Sequence, residues 1–428
     1  MAYKQVLLGD YFKFEKGLGY KGEFLAEDSD VALIGMDSHE EGGGYKEGSE
    51  KPYSGPYKEI HVSNPGDVIF AATDLTQDGH VLGSPLLVPD SDEFQTFIYS
   101  HHLLKAFQIK EGFLPEYLYN IYRCEKYRLK AAYADSGTTV RALPSDVLEE
   151  QIVPLPDLPT QEAINEVISL IDQQIANNKS LAKNLELLAQ SIFKSWFIDF
   201  DPVHAKSRGE KPFGMDDGTA ALFPDSFEES ELGMIPKGWS VGKFGDYNNL
   251  LMGQSPPGES YNNEGLGLPF YQGRTDFGIR FPERRIYCTI EKRVANPRET
   301  LVSVRAPVGD INQAIEKCVI GRGIAAVMHK SNSPIYTYSL LSSLKSRLSY
   351  FNGEGSVFGA INKSDFENLK ILEPSNALIK KFDQLLGSTN LLIHELHQSS
   401  KSLVSLRVSL LPKLISGELQ IPEELLVS

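Results

Sequence analysis

Between residues 160 and 197, apolar positions recur in alternating steps of four and three. Ile164, Ile168, Ile171, Ile175, Asn178, Ala182, Leu185, Ala189, Ile192 and Trp196 form one stripe, and no proline or glycine interrupts it. That spacing predicts a single long helix whose stripe is the seam of a coiled coil. Thr160 is the expected N-cap, with Gln161 and Glu162 in the first turn. A stripe this long on one side only requires a partner helix. Residues 376–416 supply one, repeating the stripe at a constant shift of 218 residues as Phe382, Leu386, Thr389, Ile393, Leu396, Ser400, Leu403, Arg407, Leu410 and Leu414. Ser375 or Asn376 can cap its start, Pro412 is expected to kink its last turn, and Gly417 to end it. At about 1.5 Å per residue, each rod would be roughly 55 to 60 Å long.

The 218-residue shift continues upstream, pairing Gly137 with Gly355, Thr138 with Ser356, Ala142 with Ala360, Leu143 with Ile361, and Pro156 with Pro374. Further back the offset grows to 232, where Pro65, Gly66, Asp67, Val68, Ile69 and Phe70 meet Pro297, Arg298, Glu299, Thr300, Leu301 and Val302. It reaches 236 where Gly9, Asp10, Tyr11, Gly17 and Gly22 meet Gly245, Asp246, Tyr247, Gly253 and Gly258. An ordered series of this kind implies a tandem duplication of one unit, a globular part followed by a long helix.

The globular parts read as short strands broken by Gly, Pro and Asp: KQVLLGDYF, VALIGM, EIHV, DVIFAAT, HVLG and HLLKAFQI in the first, with helical pattern at 114–133. Residues 239–375 repeat that character, and SLLSSLKSRLSYF at 339–351 takes the helix's place. The expected fold class is α+β, two mainly-β domains joined by two long antiparallel helices in a coiled coil with pseudo-two-fold symmetry. The expected boundaries are 1–155 for the first domain, 156–200 for the first helix, 201–238 for an irregular connector, 239–374 for the second domain, 375–418 for the second helix, and 419–428 for a tail.

Composition changes this picture little, and charge changes it more. No run of about 18 apolar residues could span a membrane, and MAYKQVLLGDYFKF lacks the basic and apolar regions of a secretion signal. Cys124, Cys288 and Cys318 are isolated, which suits a reducing cytoplasm and offers no metal spacing. The formal charge of −15 is unevenly spread. Residues 1–150 hold 14 basic and 25 acidic side chains, whereas 236–375 hold 17 basic and 13 acidic. Only the second globular part leans toward the basic face that nucleic-acid binders carry.

Tests for catalysis come back empty. GLGYKG at 17–22 satisfies G-x-G-x-x-G and Asp37 lies 20 residues beyond Gly17, but EFLAEDSD leaves no room for the helix that must open on the second glycine, so a turn is the better reading. Phe351, Gly353 and Gly355 match the F-x-G-x-G loop of amino-methyltransferases, but no Asn or Asp followed by Pro-Pro and an aromatic accompanies it. There is no G-x-x-x-x-G-K-[ST] phosphate loop and no Glu-x-Lys nuclease triplet. His101, His102, His80 and His61 lack acidic or cysteine partners at ligand spacing. No Ser-His-Asp set is evident.

A chain with two similar surfaces held at a set separation suits double-stranded DNA, whose half-sites recur along one axis. The rod ends QSIFKSWF and VSLLPKLISGELQ and the stretch VRAPVGDINQA…CVIGRGIA make the resemblance specific: over essentially its whole length the chain resembles the specificity subunit of type I restriction-modification systems. The resemblance implies a non-catalytic, cytoplasmic, DNA-reading subunit with no membrane association. Each globular target recognition domain would read one half of a bipartite asymmetric site. The helices would set the spacing and dock two methyltransferase subunits, and two restriction subunits would complete the complex. S-adenosylmethionine, ATP and Mg2+ would belong to those partners, leaving this chain without a cofactor. A solitary DNA methyltransferase built around FNGEG, or a coiled-coil protein scaffold, are the alternatives.

The first domain departs from the second at one point, having DLTQDGHVLG where the second has RAPVGDINQA, so that Thr73 replaces the counterpart of Arg305. Its candidate DNA contacts are Lys16, Lys21, Lys46 and Arg141, with Lys13, Lys51 and Lys58 as further lysines. In the second domain the candidates are Arg274, Arg280, Arg284, Arg305 and Arg322, with Arg285 beside them, because a guanidinium pairs two-pronged with guanine. Thr138, Thr139 and Ser356 sit in repeat-matched loops that could touch phosphate or cap turns. Arg305 and Arg322 could equally brace glycine loops.

Overall fold

A computed structural model describes residues 3–74, 81–132, 141–352 and 359–422. Mixed helix and strand run throughout. The first long helix is Leu158–Phe197, 40 residues without a break. It begins two residues before Thr160 because Pro159 costs no hydrogen bond in a first turn. Asp157, not Thr160, is the cap: its Oδ1 accepts from the Thr160 N–H at 3.1 Å. The second long segment is interrupted, as Asn376–Leu385 and Gly387–Ser416. Leu386 leaves helical geometry (φ −94°, ψ 4°) just ahead of Gly387, the weakest helix former after proline. Ser375 caps the start through the Leu378 N–H. Pro412 sits inside the second piece, which runs on to Ser416, and Gly417 ends it at φ +75°.

The chain divides into two compact units, Met1–Asn178 with Gln398–Ser428, and Lys179–His397. In the first, an antiparallel sheet has the strand order Phe12–Lys16, Leu103–Gln108, Val68–Ala71, Pro85–Leu87. A second sheet pairs Val31–Ile34 in parallel with Thr96–Tyr99 and adds Lys51–Pro52 and Val62–Ser63 at its edges. Val81, Leu82 and Gly83 form a turn rather than a strand, and the expected 114–133 helix breaks into Pro115–Arg123 and Glu125–Ala132, because Cys124 turns extended (ψ 122°). Phe12, Phe70, Phe113, Tyr117 and Tyr122 bury together with Ile164 and Ile168 of the first long helix and Leu411, Leu414 and Ile415 of the second.

The second unit repeats the order as Asn248–Met252, Ile324–His329, Thr300–Ser303, Ile311–Gln313. Its other sheet again has one parallel pair, Leu268–Tyr271 with Cys318–Ile320. Phe193, Trp196 and Phe197 of the first long helix pack edge-on against Phe382, with ring centroids 5.7, 5.8 and 5.3 Å away. Residues 201–238, expected to be irregular, hold the helices Asp201–Ser207 and Asp217–Ala220 and a hairpin of Phe227–Ser230 with Gly233–Pro236. Val203 and Phe223 anchor them in the core, and Lys206 Nζ ties the carbonyls of Ala220 and Phe223 together.

Candidate nucleic-acid interface

In the second unit three loops meet at one end of the sheets, and each delivers an arginine. Arg305 follows the strand Thr300–Ser303, where the Val304 N–H donates to the Gly323 carbonyl at 2.8 Å and the Ile361 N–H donates back to Val304 at 3.1 Å. Arg322 caps the tight turn between Cys318–Ile320 and Ile324–His329, closed by the Ile324 N–H on the Gly321 carbonyl at 3.0 Å. Arg274 opens the short 3-10 turn that follows Leu268–Tyr271.

Glycine is required where these loops touch. A Cβ on Gly323 would stand 2.4 Å from the Gln272 carbonyl, and one on Gly253 would stand 2.2 Å from that of Gly321. The result is a groove of about 200 Å³ lined by Gln272, Gly273, Arg274, Arg305, Ala306, Arg322 and Gly323. All three arginines are exposed. Asp310 restrains two basic side chains beside it, Arg274 at 3.2 Å and Lys345 at 2.9 Å.

The other candidates fall differently. Arg280 is a correction: it is 7% exposed and its guanidinium is committed inside the unit. It donates to Glu186 Oε2 at 2.7 Å and Asn390 Oδ1 at 2.9 Å, and stacks 3.3 Å from the Tyr338 ring centroid. A guanidinium held this way joins the globular part to both long helices and cannot reach a base. Arg284 is exposed and bound to Glu316, and Arg285 is bound to Asp276 at 2.7 Å.

In the first unit Lys13, Lys21 and Lys51 lie against Glu149, Glu23 and Asp37, while Lys16, Lys46 and Lys58 are exposed. Thr138, Thr139 and Ser356, with Gly353 and Gly355 of the F-x-G-x-G match, lie outside the described residues. Arg141 is described only in its backbone, which pairs with Asp74. A cavity of about 450 Å³ in this unit is lined by Glu116, Glu166 and Asp172 and by no basic side chain, which does not suit phosphate. No α-helix opens on GLGYKG, only a 3-10 turn of Gly22–Phe24 at its end. Gly17 instead allows backbone contact, since its Cβ would stand 2.3 Å from the carbonyls of Tyr99 and Ser100.

Sequence reasoning missed Met36, His101 and His102 as surface chemistry. Thr73 Oγ1 donates to Met36 Sδ at 2.9 Å and lies 3.0 Å from His102 Nδ1, and the two histidine rings sit 3.9 Å apart. The signal available was the Thr73 to Arg305 alignment, whose loop partners only the folded backbone reveals. Burial, then the neighbouring His101 and Lys16, lower the His102 pKa, so its imidazole is neutral near pH 7. His39, fully buried, is pushed down to about 4 by desolvation.

Among the described residues no group of His, Cys, Asp and Glu could hold a metal, and no helix is long and apolar enough to cross a membrane. Two mixed sheet-rich units, one of them carrying a three-arginine groove, offer the kind of basic surface that nucleic-acid binders carry. No family model matches the chain. It is 32% identical over 328 residues to the MjaX type I restriction enzyme specificity subunit of Methanocaldococcus jannaschii, covering 74% of this chain and 70% of that one. It is 25% identical over 330 residues to the MjaIX specificity subunit of the same organism, covering 73% and 71%. The type I S subunit structure from M. genitalium aligns over 96% of both chains at 15% identity with a TM-score of 0.54, a likeness of fold. The chain belongs to the specificity subunits of type I restriction enzymes, and as such it is a non-catalytic DNA sequence-specificity subunit.

Proposed function

We propose that each unit reads one half of a bipartite, asymmetric DNA site, with the long helices packed antiparallel as a spacer of roughly 60 Å and as the docking platform for methyltransferase subunits. The observation that carries this reading is the recurrence of one strand order and one set of loop hydrogen bonds in both units, with different side chains at matching positions. The Ala72 N–H donates to the His102 carbonyl at 2.9 Å as that of Val304 does to Gly323. Leu143 donates to Ala72 at 2.7 Å as Ile361 does to Val304. Two copies of one scaffold with unlike loops would read unlike half-sites.

Antiparallel packing is supported within each unit. The start of the first long helix shares a core with the end of the second in one unit, and its end shares a core with Leu378, Ile379 and Phe382 in the other. Leu170, Leu181, Leu188, Leu391 and Leu406 are exposed along the rods, apolar surface suited to partner subunits. Two methyltransferase and two restriction subunits complete the proposed complex. S-adenosylmethionine, ATP and Mg2+ act on those partners.

The test is co-expression with the methyltransferase encoded beside it in a methylation-free host, followed by sequencing of modified adenines. A split asymmetric motif with a fixed gap is expected. An unmodified genome with a stable complex recovered would replace this reading with that of a scaffold.

A further inference from the structure

The backbone bonds align the two units residue by residue at the groove. Ser100 donates to the Ile34 carbonyl at 3.0 Å as Gly321 does to Tyr271 at 2.8 Å, and Leu103 donates to Ser100 as Ile324 does to Gly321, both at 3.0 Å. His101 therefore occupies the position of Arg322. Each parallel strand is followed by a 3-10 turn with glycine before it, Gly35 before Met36 and Gly273 before Arg274, which places Met36 at the position of Arg274. Thr73 pairs with Ala142 as Arg305 bridges Ala360. Unit two has one extra residue, Gln272, ahead of its turn, and that carbonyl is what excludes a side chain at Gly323. Unit one lacks the extra residue, and His102 fits there.

Resting on the reading that both units contact DNA, we propose that Met36, Thr73, His101 and His102 form the base-reading locus of the first unit, and that it selects an A·T pair where the three-arginine groove of the second selects guanine. The chemistry at the two loci is opposed. Three guanidiniums are five-donor forks that match guanine N7 and O6 and cannot accept a hydrogen bond. The first-unit locus offers a soft thioether and an acceptor.

With the Thr73 hydroxyl proton on Met36 Sδ, the tautomer of His102 that donates from Nδ1 to Thr73 Oγ1 leaves Nε2 as an acceptor. In the major groove adenine presents the N6 amino donor and its thymine partner the C5 methyl group, which suit an imidazole nitrogen and a methionine in turn. His101 Nδ1 is buried without a hydrogen-bond partner among the described residues, a further polar atom the fold itself leaves unused.

The test is the methylation motif of the complex carrying substitutions in this chain. Arg305→Ala first identifies the half-site read by the second unit, as the half that becomes degenerate. Met36→Arg, Thr73→Arg and His101→Arg together are then expected to change the other half, shifting an A·T position toward guanine while the first half and the gap stay as in wild type. His101→Ala and Met36→Ala singly are expected to lower methylation of the split site at least tenfold and to relax the bases of that same half, while the bases of the arginine-read half stay as in wild type, which also reports that the complex is folded. Wild-type motif and methylation in these single variants would overturn the assignment, as would a wild-type half that has guanine at every fixed position. A wild-type complex that methylates no split motif would instead remove the reading beneath it.

Discussion

Arg123 grips Asp172 with both terminal nitrogens, at 2.6 and 2.9 Å, tying the globular part of the first unit to the first long helix. Arg407 of the second long helix reaches the same carboxylate. Asp172 lies 218 residues before Asn390, which in the second unit accepts from Arg280 while Glu186 supplies the carboxylate. The seat between domain and rods is thus filled by an ion network in both units, and the first long helix supplies the carboxylate of each, Asp172 and Glu186.

Removing one partner of a buried network strands the others. Arg280→Ala leaves Glu186 uncompensated and Tyr338 without its stacked cation. We expect a loss of about 3 to 5 kcal/mol in denaturant unfolding, with the salt dependence of DNA binding unchanged in the surviving folded complex. A variant of wild-type stability with weakened DNA binding would restore Arg280 to the interface.

Acid should weaken the first unit through Asp172. Burial alone would raise its pKa, but hydrogen bonding and charge from Arg123, then Arg407, hold it below the ordinary carboxylate range. A depressed folded pKa stabilises fully above the unfolded value of about 3.9 and fades as pH falls through the folded value. Urea midpoints measured from pH 7 down to pH 3 should therefore drop less steeply for Asp172→Asn than for wild type. Parallel curves would contradict the assignment.

Gly253→Ala tests the loop packing beneath the arginine groove. Its new methyl would meet carbonyl oxygens of Gly321 at 2.2 Å and Ile324 at 2.7 Å, so the turn bearing Arg322 must move. A cost of about 1 to 3 kcal/mol is expected, with loss of DNA affinity beyond what Gly258→Ala causes, since nothing lies within 4 Å of a Cβ there. Equal behaviour of the two variants would refute the packing argument.

The long helical segments were legible because they are periodic. The heptad seam and the 218-residue shift are local patterns, and Ile164, Ile168, Phe382 and Leu414 are buried as the stripe requires. The break at Leu386 and the early cap at Asp157 turned on single residues whose propensities a long apolar pattern outweighs on paper. The groove was only half legible. Arg274, Arg305 and Arg322 stand out by residue type, but their convergence depends on crossing loops. Arg280 shares that type and points inward at 7% exposure while its neighbour Ile279 is 77% exposed, the reverse of what polarity alone predicts. Met36 belongs to no motif, His101 and His102 stood out only as metal ligands without partners, and the aligned backbone bonds are what bring the three together.

The most direct test is a double-mutant cycle on the recognised duplex, with either half-site scrambled, using wild type and Arg305→Ala in complex with the methyltransferase. The account predicts that Arg305→Ala costs about 1 to 3 kcal/mol on the intact site, that it costs almost nothing further once the half read by the second unit is scrambled, and that scrambling the other half still weakens it fully. An Arg305→Ala penalty that is the same on all three duplexes would contradict the account, leaving that arginine a phosphate contact or a brace for its own loop.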